Sequence, residues 1–351
     1  MEENMRHSII RMNASLIAAS SVVGYLERRG PIGACFDFYD DKNNGGDRFG
    51  QDTFEKAESE MQRIALNGAL AKIGSGERNL GAIFAGDLLN QCTSSAYGLL
   101  DFDVPYFGLY GACSTVAEGL LLAGAMVTGG MFDLCASVAS SHNCTAERQY
   151  RTPLEYGGQR TPTAQWTVTG AGAFLIGKLD GQAVRLTAGL PGIAVEKGIT
   201  DTNNMGAAMA PAAADTLLRF FEQSNTGANE YDVIVTGDLG YEGGEILCEL
   251  MEMEGCDISE KHQDCGQMIY TRQTQDTHAG GSGCGCSAVV MASYFLPKLL
   301  HGEIKRLIFM GTGAMMSPSS IQQGLAIPGI AHLLVLEAPT FAGKESDIIW
   351  K

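Results

Sequence analysis

The chain has 351 residues, with Lys+Arg 24 against Asp+Glu 40 for a net charge of −16, and is 45% hydrophobic but only 18% charged. Such a balance excludes a disordered tail or a coiled coil and allows one large α/β unit or two domains of ordinary size. It also argues against nucleic acid and against adsorption to anionic lipid, since both want basic patches.

In chain order, Met1 to Arg11 is short and charged, without the apolar run or cleavage site of a signal peptide. The ten cysteines are therefore expected to stay reduced. Ser15–Val23 is small and β-prone. Asp52–Lys72 carries a helical period, with Asp52 as candidate N-cap. Gly81–Gly86 predicts a short buried strand, and Cys113–Gly129 a helix packed on all sides. The apolar stretch Val104–Ser141 contains Glu118 and Asp133 and does not read as a lipid-spanning helix. Leu134–Ser140 and Ala171–Gly177 are further strands, and Asp180-Gly181 supplies a turn. Buried strands interleaved with buried helices predict an α/β fold with sheets covered on both faces.

The second half repeats the first. Ala82-Ile83-Phe84-Ala85-Gly86-Asp87-Leu88 returns as Val233-Ile234-Val235-Thr236-Gly237-Asp238-Leu239. Cys113-Ser114-Thr115 and Cys286-Ser287-Ala288 each open a predicted helix, with strands following at Leu134 and Leu307, and a last apolar strand spans His332–Leu336. The halves meet near Leu179–Gln182, giving residues 1–181 and 182–351.

Cys113 at the start of a buried helix predicts either a nucleophile or anion cradle, because free amides and the helix dipole lower a thiol pKa, or a small thiol in tight packing. Ser140–Gln149 follows a strand and places His142, Asn143, Glu147 and Arg148 where they line a site or cap a helix. Arg151, Tyr156, Gly157-Gly158 and Arg160 continue that stretch. The loop Gly281-Ser282-Gly283-Cys284-Gly285-Cys286 resembles an anion-binding nest but lacks the Lys-[Ser/Thr] of a P-loop. Cys284 and Cys286 with His262 and Cys265 make a poor zinc signature. Asp87 and Asp238 are read either as ligand contacts or, more blandly, as helix caps.

The repeat with a cysteine opening the central helix resembles the thiolase superfamily, whose fold is a duplicated βα unit stacked in five layers, αβαβα. Ala85–Gln91, Gly111–Thr115, Ser140–Gln149, Glu155–Gln159, Gly198–Asp201, Met209–Thr216, Gly280–Val290, Ser317-Pro318 and Ile321–Gln323 resemble the stage V sporulation protein AD (SpoVAD) family over nearly the whole chain. The resemblance implies a non-catalytic sporulation protein that binds dipicolinic acid, free or as its calcium chelate. It further implies a role in dipicolinate uptake into the developing spore with the SpoVA membrane proteins, at the cytoplasmic side of the forespore inner membrane. A homodimer is expected by analogy, with no nucleic acid and no cofactor beyond calcium arriving with dipicolinate.

Set against thiolase enzymes, Cys113 takes the nucleophile's place, while Thr236-Gly237-Asp238 stands where a His is expected. Gly283-Cys284-Gly285 replaces the second partner, and Gly311-Thr312-Gly313 the late cysteine. Claisen chemistry needs the missing groups. The ligand set predicted is Cys113, His142, Asn143, Glu147, Arg148, Asp238, Gly281, Ser282, Cys284 and Cys286, with Asp87, Asp238 or Glu147 for calcium. The competing readings are an acyltransferase or 3-ketoacyl synthase-like enzyme acting on a thioester through Cys113, and a purely structural subunit.

Overall fold

The structure, a computed structural model, describes residues 9–40, 47–74, 76, 79–150, 160–178 and 180–340. The first series of elements is β1 (Ile10–Val23), α1 (Phe54–Lys72), β2 (Ala82–Gly86), β3 (Tyr106–Gly108), α2 (Thr115–Thr128), β4 (Leu134–Ser141), α3 (Asn143–Tyr150) and β5 (Gly170–Lys178). The second is β6 (Val184–Leu190), α4 (Met205–Ser224), β7 (Val233–Thr236), α5 (Gly240–Met253), β8 (His262–Asp264), α6 (Cys284–Val290), β9 (Arg306–Ala314) and β10 (Gly329–Glu337).

Hydrogen bonding orders the strands β8-β7-β9-β10-β6-β1-β5-β4-β2-β3. Within each series the order is third, second, fourth, fifth, first. The second, third and fourth strands are parallel, and the fifth runs antiparallel to both its neighbours. The two series join because β1 is long: Ala14–Val23 pairs β5 while Ile10–Leu16 pairs β6. At the junction Asp180 makes the turn, its Oδ1 accepting from Gln182 N at 2.8 Å and its carbonyl from Ala183 N at 3.2 Å.

The layers follow from which faces are apolar. α1 buries Met61, Ala65, Leu66 and Ala69 against one face of the first strand series, and α4 and α5 cover the outer face of the second. α2 lies between and touches strands of both series, with α6 beside it. Helix, sheet, helix, sheet, helix is the five-layer α/β arrangement expected. All five residues of β2 and eight of the nine in β5 are buried, as sheets covered on both faces require. Among the described residues no helix is long and apolar enough to cross a membrane.

Two predicted helix starts move. Thr53, not Asp52, caps α1: its Oγ1 accepts from Lys56 N at 3.2 Å, while Asp52 is exposed one residue earlier. α6 begins at Cys284 rather than Cys286, because Gly283 at φ 103° turns the chain directly into the helix.

Candidate functional site

Cys113 sits at the centre of the molecule. It lies in the one-turn 3₁₀ segment Ala112–Ser114 that leads into α2, and is 5% exposed. Ala112 occupies the left-handed region at φ 51°, a conformation that costs a non-glycine residue on the order of 1 kcal/mol. The turn is held from both sides. Ser114 Oγ donates to Gly111 O at 2.6 Å, Thr115 Oγ1 donates to Ala112 O at 2.6 Å, and the Cys284 thiol donates to the same Ala112 carbonyl at 3.0 Å. β9 runs close beneath: a Cβ at Gly313 would come within 2.8 Å of Gly111 O. Glycine in Gly311-Thr312-Gly313 is therefore a packing requirement of the cysteine turn.

The Asp238 side chain, which follows β7 in the other half of the chain, lies near enough to Cys113 for its charge to raise the thiol pKa. Asp238 is fully buried and pinned: Thr312 Oγ1 donates to Oδ1 at 2.9 Å, Gly283 N donates to Oδ2 at 2.9 Å, and Asp238 N donates back to Thr312 Oγ1 at 3.0 Å. Burial raises the Asp238 carboxyl to about 6. It also raises the Cys113 thiol well above its usual value, with the Asp238 charge and Cys284 adding to the effect. The low-pKa thiol expected from the helix start is thus corrected. Desolvation and an adjacent carboxylate outweigh the dipole of one helix mouth.

The repeated aspartates have diverged. Asp87 is a local cap, its Oδ1 accepting from Leu89 N at 2.8 Å and its Oδ2 from Ser95 N at 2.7 Å and Ser95 Oγ at 2.6 Å. Behind it Glu58, raised to about 8 by burial and the Asp87 charge, accepts from Ser140 Oγ and Thr145 Oγ1. Asp264 performs the corresponding cap in the second half, accepting from Leu239 N and Gly240 N, which leaves Asp238 free to act on the cysteine.

A cleft of about 70 Å³ opens in front of Cys113. It is lined by Ala146, Glu147 and Tyr150 of α3, by Thr167 and Ser282, and by Met205, Ala314 and Met316. Of the predicted set, Cys113, Glu147 and Ser282 line this space, while Asp238 does not line it but acts on Cys113 through its charge. Gly281 is buried in a short pairing with Trp166, and its carbonyl accepts from Gln165 Nε2 at 2.9 Å. Cys284 and Cys286 are buried thiols donating to Ala112 O and Gly237 O. Asn143 supports the lining, its Nδ2 donating to Thr167 O at 3.4 Å.

His142 and Arg148 point elsewhere. His142 is 1% exposed; Cys144 N donates to its Nδ1 at 3.1 Å, so Nε2 carries the proton and donates to Asp47 O at 2.9 Å. Both nitrogens are used, and burial pushes its pKa down, leaving a neutral ring packed on Phe54. Arg148 is exposed on the outer side of α3 and pairs with Glu55 at 2.7 Å. Neither reaches the cleft, so the donors assigned to these two side chains are absent there. Arg151, Tyr156 and Gly157-Gly158 lie outside the described residues, and Arg160 pairs with Asp276 at 3.0 Å. Among the described residues no group of three or more His, Cys, Asp or Glu is placed to hold a metal. Lining residues that sequence reasoning missed include Tyr150, Met205 and Met316. Only Tyr150, at the end of the polar stretch after β4, carried any local signal.

Comparison with known proteins gives the context. The family model described as stage V sporulation protein AD matches residues 5–337. The stage V sporulation protein AD of Bacillus subtilis (strain 168) is 42% identical over 321 residues, covering 91% of this chain and 93% of that protein. Solved structures of OleA from Xanthomonas campestris share the fold. One variant superposes with a TM-score of 0.61 at 15% identity, covering 94% of this chain and 100% of that chain. A cerulenin-bound form gives 0.58 at 16%, covering 94% and 98%. At that identity the likeness establishes the thiolase-like α/β fold alone.

Proposed function

This chain belongs to the stage V sporulation protein AD family, and from that premise we propose that its Cys113 cleft is a non-catalytic binding site for dipicolinate entering as the calcium chelate. The observation that carries the reading is the burial of the Cys113 thiol with the buried Asp238 carboxylate nearby. A carboxylate beside a buried thiol holds the proton on sulfur, whereas acyl transfer needs a thiolate and an oxyanion-binding partner.

The electrostatics select the form of the ligand. The described lining contains Glu147, with Asp238 near Cys113, and neither Lys nor Arg. A free dianion would meet only like charge there. A calcium chelate brings its own neutralising cation and several of the donors, leaving an outer position for the hard oxygens of Glu147 or Ser282. Tyr150, Met205 and Met316 supply the slot for a planar ring. The protein then serves dipicolinate uptake into the forespore with the SpoVA membrane proteins, docked on the inner membrane through them. A homodimer fits the exposed edge strand β3, where Tyr106 and Phe107 are 38% and 44% exposed.

Titration of the purified protein with dipicolinate, with and without calcium, tests this. Saturable binding that requires calcium and weakens about tenfold in Glu147→Gln is expected. Absence of saturable binding in both conditions sinks the proposal.

A further inference from the structure

A second and larger cavity, of about 980 Å³, lies away from the Cys113 cleft, where β1, β6, the C-terminal part of α4 and the start of β9 converge. Arg306 opens β9 at this cavity and Ala314 ends it at the Cys113 cleft. The strand between them spans about 26 Å at roughly 3.3 Å per residue. The two sites share no lining residue.

Four arginines line the cavity, one from each converging element: Arg11, Arg185, Arg219 and Arg306. That convergence is uneven in a chain with Lys+Arg 24 against Asp+Glu 40. The carboxylates do not saturate it. Glu337 is shared between Arg185 at 3.3 Å and Arg306 at 3.1 Å, and Arg306 also reaches Glu230 at 3.7 Å. Arg219 Nε meets Asp215 at 2.8 Å, and Glu222 stands in the lining. The Arg11 side chain has no hydrogen bond or ion pair among the described residues. Arg219 Nη1 is buried with no hydrogen-bond partner, a loss that a ligand oxygen would relieve. Arg306 lies 4.7 Å over the Tyr231 ring, which holds its guanidinium in place before any ligand arrives.

We propose that this cavity binds a compact polyanion, a molecule carrying two or more phosphate or carboxylate groups. Guanidinium forks bind both acids bidentately, and ligand sites of roughly 300–1,000 Å³ include this volume. Arg11 and Arg219 Nη1 offer the open positions. Glu337 is the internal carboxylate that occupies Arg185 and Arg306 in the empty cavity.

The test is calorimetric titration of the full chain with inorganic pyrophosphate and, separately, citrate, at low and at raised salt. Saturable binding of at least one probe, weakened by salt, is expected. The tighter probe identifies the acid group. Arg11→Ala should weaken binding about tenfold. Glu337→Gln should tighten it several-fold by releasing two guanidiniums, while the remote exposed Lys56→Ala leaves it unchanged. Opposite effects of Arg11→Ala and Glu337→Gln do not arise from misfolding, which weakens binding in both. Failure of both probes to saturate at millimolar concentration, or identical affinities in Arg11→Ala and the parent, overturns the proposal.

Discussion

Thr312 Oγ1 donates to the Asp238 carboxylate at 2.9 Å, fixing a charge that raises the pKa of the buried Cys113 thiol in the other half of the chain. Thr312 and Gly283 hold the acceptor still, so the carboxylate is a fixed part of the core. Its consequence is chemical: the sulfur keeps its proton at neutral pH.

Alkylation kinetics should show this. The rate of iodoacetamide modification at Cys113, followed by peptide mass spectrometry, should stay low and nearly flat from pH 7 to 9. Asp238→Asn removes the adjacent charge and should raise the rate several-fold at pH 8, with burial still limiting it. A rate in the parent chain that climbs and levels off near neutrality would mean a thiolate after all.

Incubation with acyl thioesters gives a separate measurement. No acyl adduct should be found on Cys113 by intact mass, since burial and the Asp238 charge hold the thiol pKa well above its usual value. An adduct abolished by Cys113→Ala would restore the acyltransferase reading.

Buried carboxyls predict how stability varies with pH. Glu27 and Asp264 are raised to about 7, Glu58 to about 8 and Asp238 to about 6. In each, the folded state holds the proton more tightly than the unfolded chain. Their contribution is therefore complete below the unfolded values and is lost as pH rises through the folded ones. Denaturant melts should show stability falling progressively from about pH 4 to pH 8. Glu58→Gln, which mimics the protonated form between Ser140 and Thr145, should flatten that slope. A melting temperature rising over the same range contradicts the assignment.

Much of this was legible in the sequence, and the limits have physical causes. The repeat around Asp87 and Asp238 predicted the duplicated strands because buried parallel strands read as continuous apolar runs. The same repeat could not say that one aspartate caps and the other lies near a thiol. That depends on Asp264, 26 positions further on, taking over the cap. His142 looked like a ligand because a polar stretch after a strand has no sidedness in one dimension. Its partners are the backbone of Asp47 and Cys144, and no spacing rule points to a carbonyl 95 positions upstream. Thr312 was named only for its place in Gly311-Thr312-Gly313, since a threonine within an apolar strand gives no sign that it meets Asp238 after the neighbouring strand.

The exposed aromatic edge carries a prediction about assembly. Tyr97 and Leu100, in the segment that leads from β2 to β3, are 73% and 69% exposed, and the outer hydrogen-bonding edge of β3 is unpaired among the described strands. A second copy pairing there would cover both. Tyr97→Glu with Leu100→Glu should shift sedimentation velocity profiles from dimer toward monomer, weakening association at least about tenfold, with the melting temperature of the protomer unchanged. A parent chain that sediments as a monomer at micromolar concentration rules this interface out.

Gly283 ties backbone conformation to the site. It sits at φ 103°, and a Cβ there would lie 2.6 Å from Ser141 Oγ. Ser141 Oγ is already committed, donating to Val168 O at 2.6 Å and accepting from Gly285 N at 3.1 Å, so it has little freedom to move aside. Gly283→Ala therefore combines an unfavourable dihedral with a clash against a fixed group, and should cost roughly 2–4 kcal/mol in urea melts. The same change displaces the Gly283 N–H from Asp238, removing a donor that lowers the carboxyl's pKa. Asp238 should then titrate higher than in the parent, which ¹³C-detected NMR of the carboxyl would read directly. An alanine variant with parent stability and an unmoved Asp238 titration would show that this loop can be rebuilt without the left-handed glycine.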